Sequence, residues 1–393
     1  MKKYNEYWSG ALTSVKAGGQ FRQLRHVERL SNARIKIDNG PELIDFSSND
    51  YLGLSQHPAL VLASQRQIAR FGVGSGGSRL VTGNLYSFEE VEHKLAKEKK
   101  SEAALVFVSG VQANLTILPA LLDRKVLGGE PLVYADRLNH ASLIQGCVAA
   151  GVRQIRFRHN DLEHLEELLL RDAHESRARF IITESIFSMD GDCPDLLKLE
   201  KLAEKYNAFL YIDEAHATGV LGDSGFGLAR GLKNSLVVGT FSKGLGGFGA
   251  YVACSSLLRD YLINKCGGVM YATALPPAVL GAMNAALDIV PFMDAERRHI
   301  SQMAARLRHC LGLAGGDTGK SSTHIVPVIF GDEGRTLSTS AKLEKEGYYV
   351  VAIRPPTVPA GTSRLRLAVS AMHHQDDIDA LAERIIRFSR ELS

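Results

Sequence analysis

Between residues 103 and 240, short apolar runs alternate with helix-length segments, and this alternation most restricts the fold. The runs are Ala103-Ala104-Leu105-Val106-Phe107-Val108, Leu132-Val133-Tyr134-Ala135-Asp136, Gln154-Ile155-Arg156-Phe157, Phe180-Ile181-Ile182-Thr183-Glu184, Phe209-Leu210-Tyr211-Ile212-Asp213 and Leu236-Val237-Val238-Gly239. Helical patterning over 112–122, 141–150, 162–170 and 196–206 separates most of them. Apolar runs of strand length alternating with helices predict a mostly parallel sheet covered on both faces. Chemically capable residues then collect at or just past strand ends: His140, Ser188, Asp213, His216, Thr240 and Lys243. Open parallel sheets bind ligands along that rim.

The flanking regions read differently. Ile35-Lys36-Ile37-Asp38 and Leu43-Ile44-Asp45-Phe46 are short strands around an Asn39-Gly40 turn. His57-Pro58 opens a helix, and Phe88, Val91 and Leu95 mark one face of another. From Pro276 the pattern shifts to helices, one of them over 294–311, then strands at 325–330, 349–353 and 365–369 and a last helix over 378–388. A chain of 393 residues exceeds what one core usually serves. We expect an N-terminal segment (1–48), a large sheet domain (49–285) and a smaller α+β domain (286–393).

Two glycine loops resemble nucleotide motifs. Gly72, Gly74 and Gly77 fit G-x-G-x-x-G, but a helical pattern precedes them where a strand is required. Residues 314–321 approach a P-loop, yet Ala314 replaces its first glycine and the order is helix, loop, strand. A net charge of +3 gives no argument for nucleic acid or membrane surfaces. No apolar run reaches transmembrane length, the start lacks the apolar core of a signal peptide, and the five scattered cysteines form no Cys-x-x-Cys pair. These features predict a cytoplasmic enzyme without a structural metal.

Taken singly, Lys243 reads as a lysine after a strand, Asp213 as a helix cap and His216 as a core histidine. Together they meet the needs of pyridoxal 5′-phosphate (PLP). An aldehyde needs a lysine, a cationic ring nitrogen a carboxylate, a flat ring a stacking partner such as His140, and a phosphate a donor cluster. The Ser109-Gly110 turn into a helix offers free amides and a positive dipole end, and Thr240 a hydroxyl.

The segments Tyr211-Ile212-Asp213-Glu214-Ala215-His216-Ala217-Thr218-Gly219 and Thr240-Phe241-Ser242-Lys243-Gly244 closely resemble the α-oxoamine synthases. So do Ser47-Ser48-Asn49-Asp50-Tyr51-Leu52-Gly53-Leu54, Gly74-Ser75-Gly76-Gly77-Ser78, Asp136-Arg137-Leu138-Asn139-His140-Ala141-Ser142 and Glu184-Ser185-Ile186-Phe187-Ser188-Met189-Asp190-Gly191-Asp192. The resemblance runs from about residue 45 to the C-terminus. It implies an α/β chain of PLP-dependent transferase fold type I, aspartate aminotransferase-like, acting as a homodimer. It also implies roles. Lys243 tethers the cofactor and moves the proton, Asp213 pairs with the ring nitrogen and His140 stacks on the ring. Ser188 and His216 lie near the phenolic oxygen, while Gly110, Val111, Thr240 and, toward a partner subunit, Thr273 serve the phosphate. Arg366 and Asn49 are implied for the amino-acid carboxylate, with Thr357 and Arg22 as further substrate contacts.

Among the family's branches, Arg354-Pro355-Pro356-Thr357 is most similar to the one that joins L-alanine to a pimeloyl thioester, on coenzyme A or acyl carrier protein. The alternative branch takes glycine and acetyl-CoA. A rival of another class is a non-catalytic protein of the same fold. The sequence departs from many relatives at Val111, where an aromatic is usual, and at Ala272 and Ala274, where hydroxyls are. The residues Leu127-Gly128-Gly129-Glu130 also lengthen the loop before His140.

Overall fold

The apolar runs become strands because their side chains are covered on both faces. A computed structural model describes residues 1–391. Toward the N-terminus, β1 (Val27–Arg29), β2 (Arg34–Ile37) and β3 (Glu42–Asp45) form an antiparallel meander. Asp38 and Asn39 make its second turn at positive φ.

The central sheet holds β4 (Ala103–Phe107), β5 (Leu132–Asp136), β6 (Gln154–Phe157), β7 (Arg179–Glu184), β8 (Ala208–Asp213), β9 (Ser235–Thr240) and β10 (Ala250–Cys254). Its order is β4-β10-β9-β8-β7-β5-β6. The pairs from β6 through β9 are parallel, and β10 runs antiparallel to both β4 and β9. Every residue of β4, β5 and β10 is buried, as expected of strands with helices on both faces. Because β9, β8, β7 and β5 are neighbours, the carboxyl ends bearing Lys243, Asp213, Glu184 and Asp136 stand side by side.

The C-terminal part contains β11 (Ile325–Gly331), β12 (Tyr348–Tyr349), β13 (Val351–Ile353) and β14 (Ser363–Ala368). Strands β11, β14 and β13 make an antiparallel sheet, packed with the helices Asp294–Leu313, Glu333–Lys345 and Gln375–Glu391. β12 pairs in parallel with β3, so the N-terminal meander is hydrogen-bonded to this part of the chain. Ile44 and Phe46 enter its core, and the Phe46 ring stacks on His373 at 3.9 Å.

Several elements go beyond the sequence reading, three of them notable. The helix Lys2–Ala17 has no buried residue, β10 is antiparallel, and Glu333–Lys345 is a helix between strands. Both glycine loops lie outside a nucleotide-binding context. Residues 72–77 follow the helix Pro58–Phe71, and residues 314–324 run from a helix into β11. Among the described residues no single helix is long and apolar enough to cross a membrane. One pair, Pro277–Phe292 and Asp294–Leu313, passes that test only together and is bent by 74°. The cysteines at 147, 193, 254, 266 and 310 are free.

Candidate active site

Lys243 follows β9 and stands half-buried in a crevice. Glycine at 244 is required there: a Cβ would lie 2.7 Å from the Thr218 carbonyl oxygen, on the backbone that passes beneath. Around the lysine, a cavity of about 210 Å3 is lined by Ser109, Gly110 and Val111, by His140, Glu184 and Asp213, and by His216, Thr240 and Ser242. A second cavity, about 430 Å3, reaches Lys243 from the side of Ser47, Asn49 and Tyr349.

Burial pushes the Lys243 ammonium down to about 8, although Asp213 and Glu184 favour its charge. Its Nζ lies 2.7 Å from His216 Nε2. The other nitrogen of that ring, Nδ1, is 2.7 Å from the Tyr51 hydroxyl. His216 is fully enclosed, and burial followed by the nearby Lys243 and Arg366 charges holds it well below the ordinary histidine range. A neutral ring offers one donor and one acceptor; because the Tyr51 hydroxyl donates to Asn49, Nδ1–H donates to Tyr51 and Nε2 accepts from Lys243.

Asp213, at the end of β8, is held from two sides. Asn114 donates to Oδ2 at 2.8 Å, and the Ala215 amide donates to Oδ1 at 2.9 Å. Asn114 is fixed in turn by Tyr211, whose hydroxyl donates to Asn114 Oδ1 at 2.8 Å. Asn114 lies one helical turn beyond Gly110 in the helix Gly110–Leu121, so that helix presents both a carboxylate-orienting amide and an N-terminus to the crevice. Ser109 caps it by accepting from the Gln112 amide. The first helical amides, at Gly110 and Val111, have no acceptor within the helix.

His140 caps the helix Ala141–Ala149, with Nδ1 accepting from the Ser142 amide at 3.2 Å. In the neutral ring the proton is then on Nε2. Burial lowers its pKa; Lys243 adds to that and Asp213 opposes it. The His140 amide donates to Glu184 at 2.6 Å. Glu184 is completely buried, and burial together with Asp213 raises it well above the usual carboxylate range.

Arg366 comes from β14. Its Nε donates to the Ser188 carbonyl at 2.6 Å and its Nη2 to Asn49 Oδ1 at 3.1 Å. Tyr51 joins the two groups, donating to Asn49 Oδ1 at 2.9 Å and lying 3.4 Å from Arg366 Nη2. Three distant stretches thus meet: the Asn49 turn, the loop after β7 and β14.

Lys243, Asp213, His140, His216, Thr240, Gly110 and Val111 line one cavity. Ser188, Asn49 and Arg366 form the adjoining network. Arg22 and Thr357 are exposed and line neither cavity around Lys243, and Thr273 is exposed on the single chain, where it bridges Ser78. Tyr51, Asn114 and Glu184 carry much of the geometry without having been singled out. Glu184 meets the same strand-end criterion that marked Asp213. Asn114 could have been found from its position four residues after Gly110.

This donor set fits PLP. It presents a half-buried lysine, a doubly held carboxylate, an imidazole, and free helix amides beside the Thr240 and Ser242 hydroxyls. Comparison with known proteins agrees. The family described as aminotransferase class I and II matches residues 41–385. The 8-amino-7-oxononanoate synthase of Gluconacetobacter diazotrophicus is 52% identical over 394 residues, covering 100% of this chain and 99% of that one. The solved serine palmitoyltransferase of Sphingomonas wittichii superposes with a TM-score of 0.89 at 26% identity, over 99% of this chain and 98% of that one. The 8-amino-7-oxononanoate synthase structure from Francisella tularensis gives 0.77 at 27% identity, over 89% and 98%. Together with the crevice geometry, these likenesses mean that the chain belongs to the aminotransferase class I and II family and, within it, to the PLP-dependent α-oxoamine synthases of the 8-amino-7-oxononanoate synthase branch.

Proposed function

We propose that the chain condenses L-alanine with a pimeloyl thioester, on coenzyme A or acyl carrier protein, to give 8-amino-7-oxononanoate, carbon dioxide and free thiol in the cytoplasmic synthesis of biotin. The observation that carries this reading is the contact between Lys243 and His216 in a crevice that Asp213 and His140 also line.

PLP supplies an aldehyde for a lysine and a ring that accepts electrons from the amino acid's α-carbon. Asp213 would pair with the ring nitrogen, with Asn114 and the Ala215 amide keeping its carboxylate oriented. His140 would stack on the ring, Ser188 and His216 would face the phenolic oxygen, and Gly110, Val111 and Thr240 would hold the phosphate. Thr273 would complete the phosphate site of a partner subunit in a homodimer.

Lys243 would hold the cofactor. Its neutral amine then takes the α-proton, a role suited to a lysine whose pKa lies near 8. Arg366, steadied by Asn49 and the Ser188 carbonyl, binds the alanine carboxylate, and Thr357 and Arg22 contact the substrates. A bond forms between the alanine α-carbon and the thioester carbonyl carbon, and the carbon–sulfur bond breaks, the leaving thiolate taking a proton from solvent. His140 donates to the carbonyl oxygen as charge develops there. The bond to the carboxylate then breaks, releasing carbon dioxide, and Lys243 returns a proton to the α-carbon.

Product analysis of the purified holoenzyme tests the reading. L-Alanine with pimeloyl-CoA is expected to yield 8-amino-7-oxononanoate, and Lys243→Ala to abolish turnover. Turnover only with glycine and acetyl-CoA, or undiminished rates in Lys243→Ala, would overturn it.

A further inference from the structure

Both ring nitrogens of His159 meet carboxylates. Nδ1 lies 3.0 Å from Asp136 Oδ1 and Nε2 lies 2.9 Å from Asp192 Oδ2. Neutral imidazole donates from one nitrogen only, so this double contact is satisfied by the imidazolium. Burial works against that charge, but the hydrogen bonds to Asp136 and Asp192 outweigh it, and the ring is pushed up to about 9. Asn160 reinforces the arrangement. Its amide donates to Asp136 Oδ2 at 2.8 Å and its side chain to Asp192 Oδ2 at 2.7 Å. Phe187 closes the remaining side edge-on, at 4.4 Å between ring centroids. The charged groups facing the ring are Asp136, from β5, and Asp192, from the loop after β7; Asn160 and Phe187 are neutral.

The clamp joins segments that carry the candidate active site. Asp136 ends β5 and starts the turn to His140, and its Oδ1 also accepts from the Leu138 amide. Asp192 closes the 185–192 loop. The Ser188 and Met189 carbonyls of that loop accept from Arg366 and Arg364, and Asp190 pairs with Arg364. Gly191 presses the loop onto β11: at φ 69° its Cβ would sit 1.9 Å from the Ile325 carbonyl oxygen. His159 therefore stands where the His140 turn meets the loop that holds Arg366. It does not line the crevice itself.

We propose that His159, an imidazolium clamped between Asp136 and Asp192, is a positioning residue that sets the His140 turn against the Arg366 loop and so fixes the amino-acid carboxylate site relative to the cofactor face. The functional consequence rests on the reading of Arg366 as the carboxylate partner given above. A shift of the loop moves Arg366 without removing any group that touches the reacting atoms. The cost falls on amino-acid binding before it falls on chemistry.

Nitrogen-15 NMR of the full-length apoprotein at pH 7, with the His159 signals assigned by their loss in His159→Gln, reads the clamp directly. Both ring nitrogens are expected to be protonated; a neutral ring would overturn the proposal. Holoenzyme kinetics read its consequence. His159→Gln and Asp192→Asn are each expected to raise KM for L-alanine by roughly tenfold or more, since small displacements of a binding group are costly, while kcat stays near its original value. The double variant should be no worse than the poorer single one, as expected when two changes disable one device. An unchanged KM, or a loss confined to kcat, would overturn the proposal. If neither variant folds, the His159 signals are assigned instead by through-bond correlation to its backbone in the unaltered chain, and the NMR result decides. That spectrum needs neither cofactor nor substrate, so its failure is distinct from failure of the condensation reading.

Discussion

Lys243 carries an energetic cost that can be measured. Its folded pKa of about 8 lies below the reference value of 10.5 because burial disfavours the ammonium. Below pH 8 the residue is protonated in both folded and unfolded states, and the folded state bears the full penalty. Between 8 and 10.5 the unfolded chain binds more protons, so stability rises with pH; above that window the penalty is gone. Lys243→Met should therefore stabilise the apoprotein at pH 7 by on the order of 3 kcal/mol. The gain should shrink as pH rises through about 8 and vanish near 10.5. Denaturant melts of both apoproteins across this range check it, and a gain independent of pH would contradict the assignment. His159 has the opposite sign. Its folded pKa is raised, so its contribution is complete below 6.5 and fades as pH rises through about 9.

At the scale of elements, the turn after β8 is held by a wholly buried ion pair. Lys99, the last residue of the helix Tyr86–Lys99, meets Glu214, which also accepts from the Ala229 amide at 2.6 Å. Glu214 lies between Asp213 and His216, so the pair anchors the turn that carries both. Removing one partner leaves an uncompensated buried charge. Lys99→Met should cost about 3–5 kcal/mol and weaken PLP binding, while Lys99→Met with Glu214→Gln should recover part of the stability. Equal melting of the single and double variants would contradict this. The same turn shows what the sequence discloses. Asp213, His216 and Lys243 were legible because strand ends in an alternating pattern fall on one rim. Tyr51 was not, because its contact with His216 joins positions far apart in sequence, and no periodicity encodes that distance. The strand β10 was not read from the sequence, because Ala250–Cys254 follows β9 with no helix between, and burial alone would not have encoded its antiparallel direction.

Across the whole molecule, the active-site network depends on the N-terminal meander and the C-terminal part acting together. Phe46 is central to that union. Its amide donates to the Tyr349 carbonyl at 3.0 Å, and its carbonyl accepts from the Ala368 amide at 2.8 Å. Its ring is fully buried against His373, a neutral partner because burial pushes that histidine down to about 4. Three residues later Asn49 reaches Arg366, which comes from β14, the strand that Ala368 ends. Phe46→Ala empties a closely packed site and should destabilise the protein by about 3–5 kcal/mol, whereas Phe46→Leu should cost distinctly less. Both variants should also raise KM for L-alanine, the alanine variant more, because the Asn49 turn loses its footing against β14. The same order in denaturant midpoint and in KM would tie folding of the meander to carboxylate binding. A stability loss with no change in KM would show that the Asn49–Arg366 contact is positioned by the 185–192 loop instead.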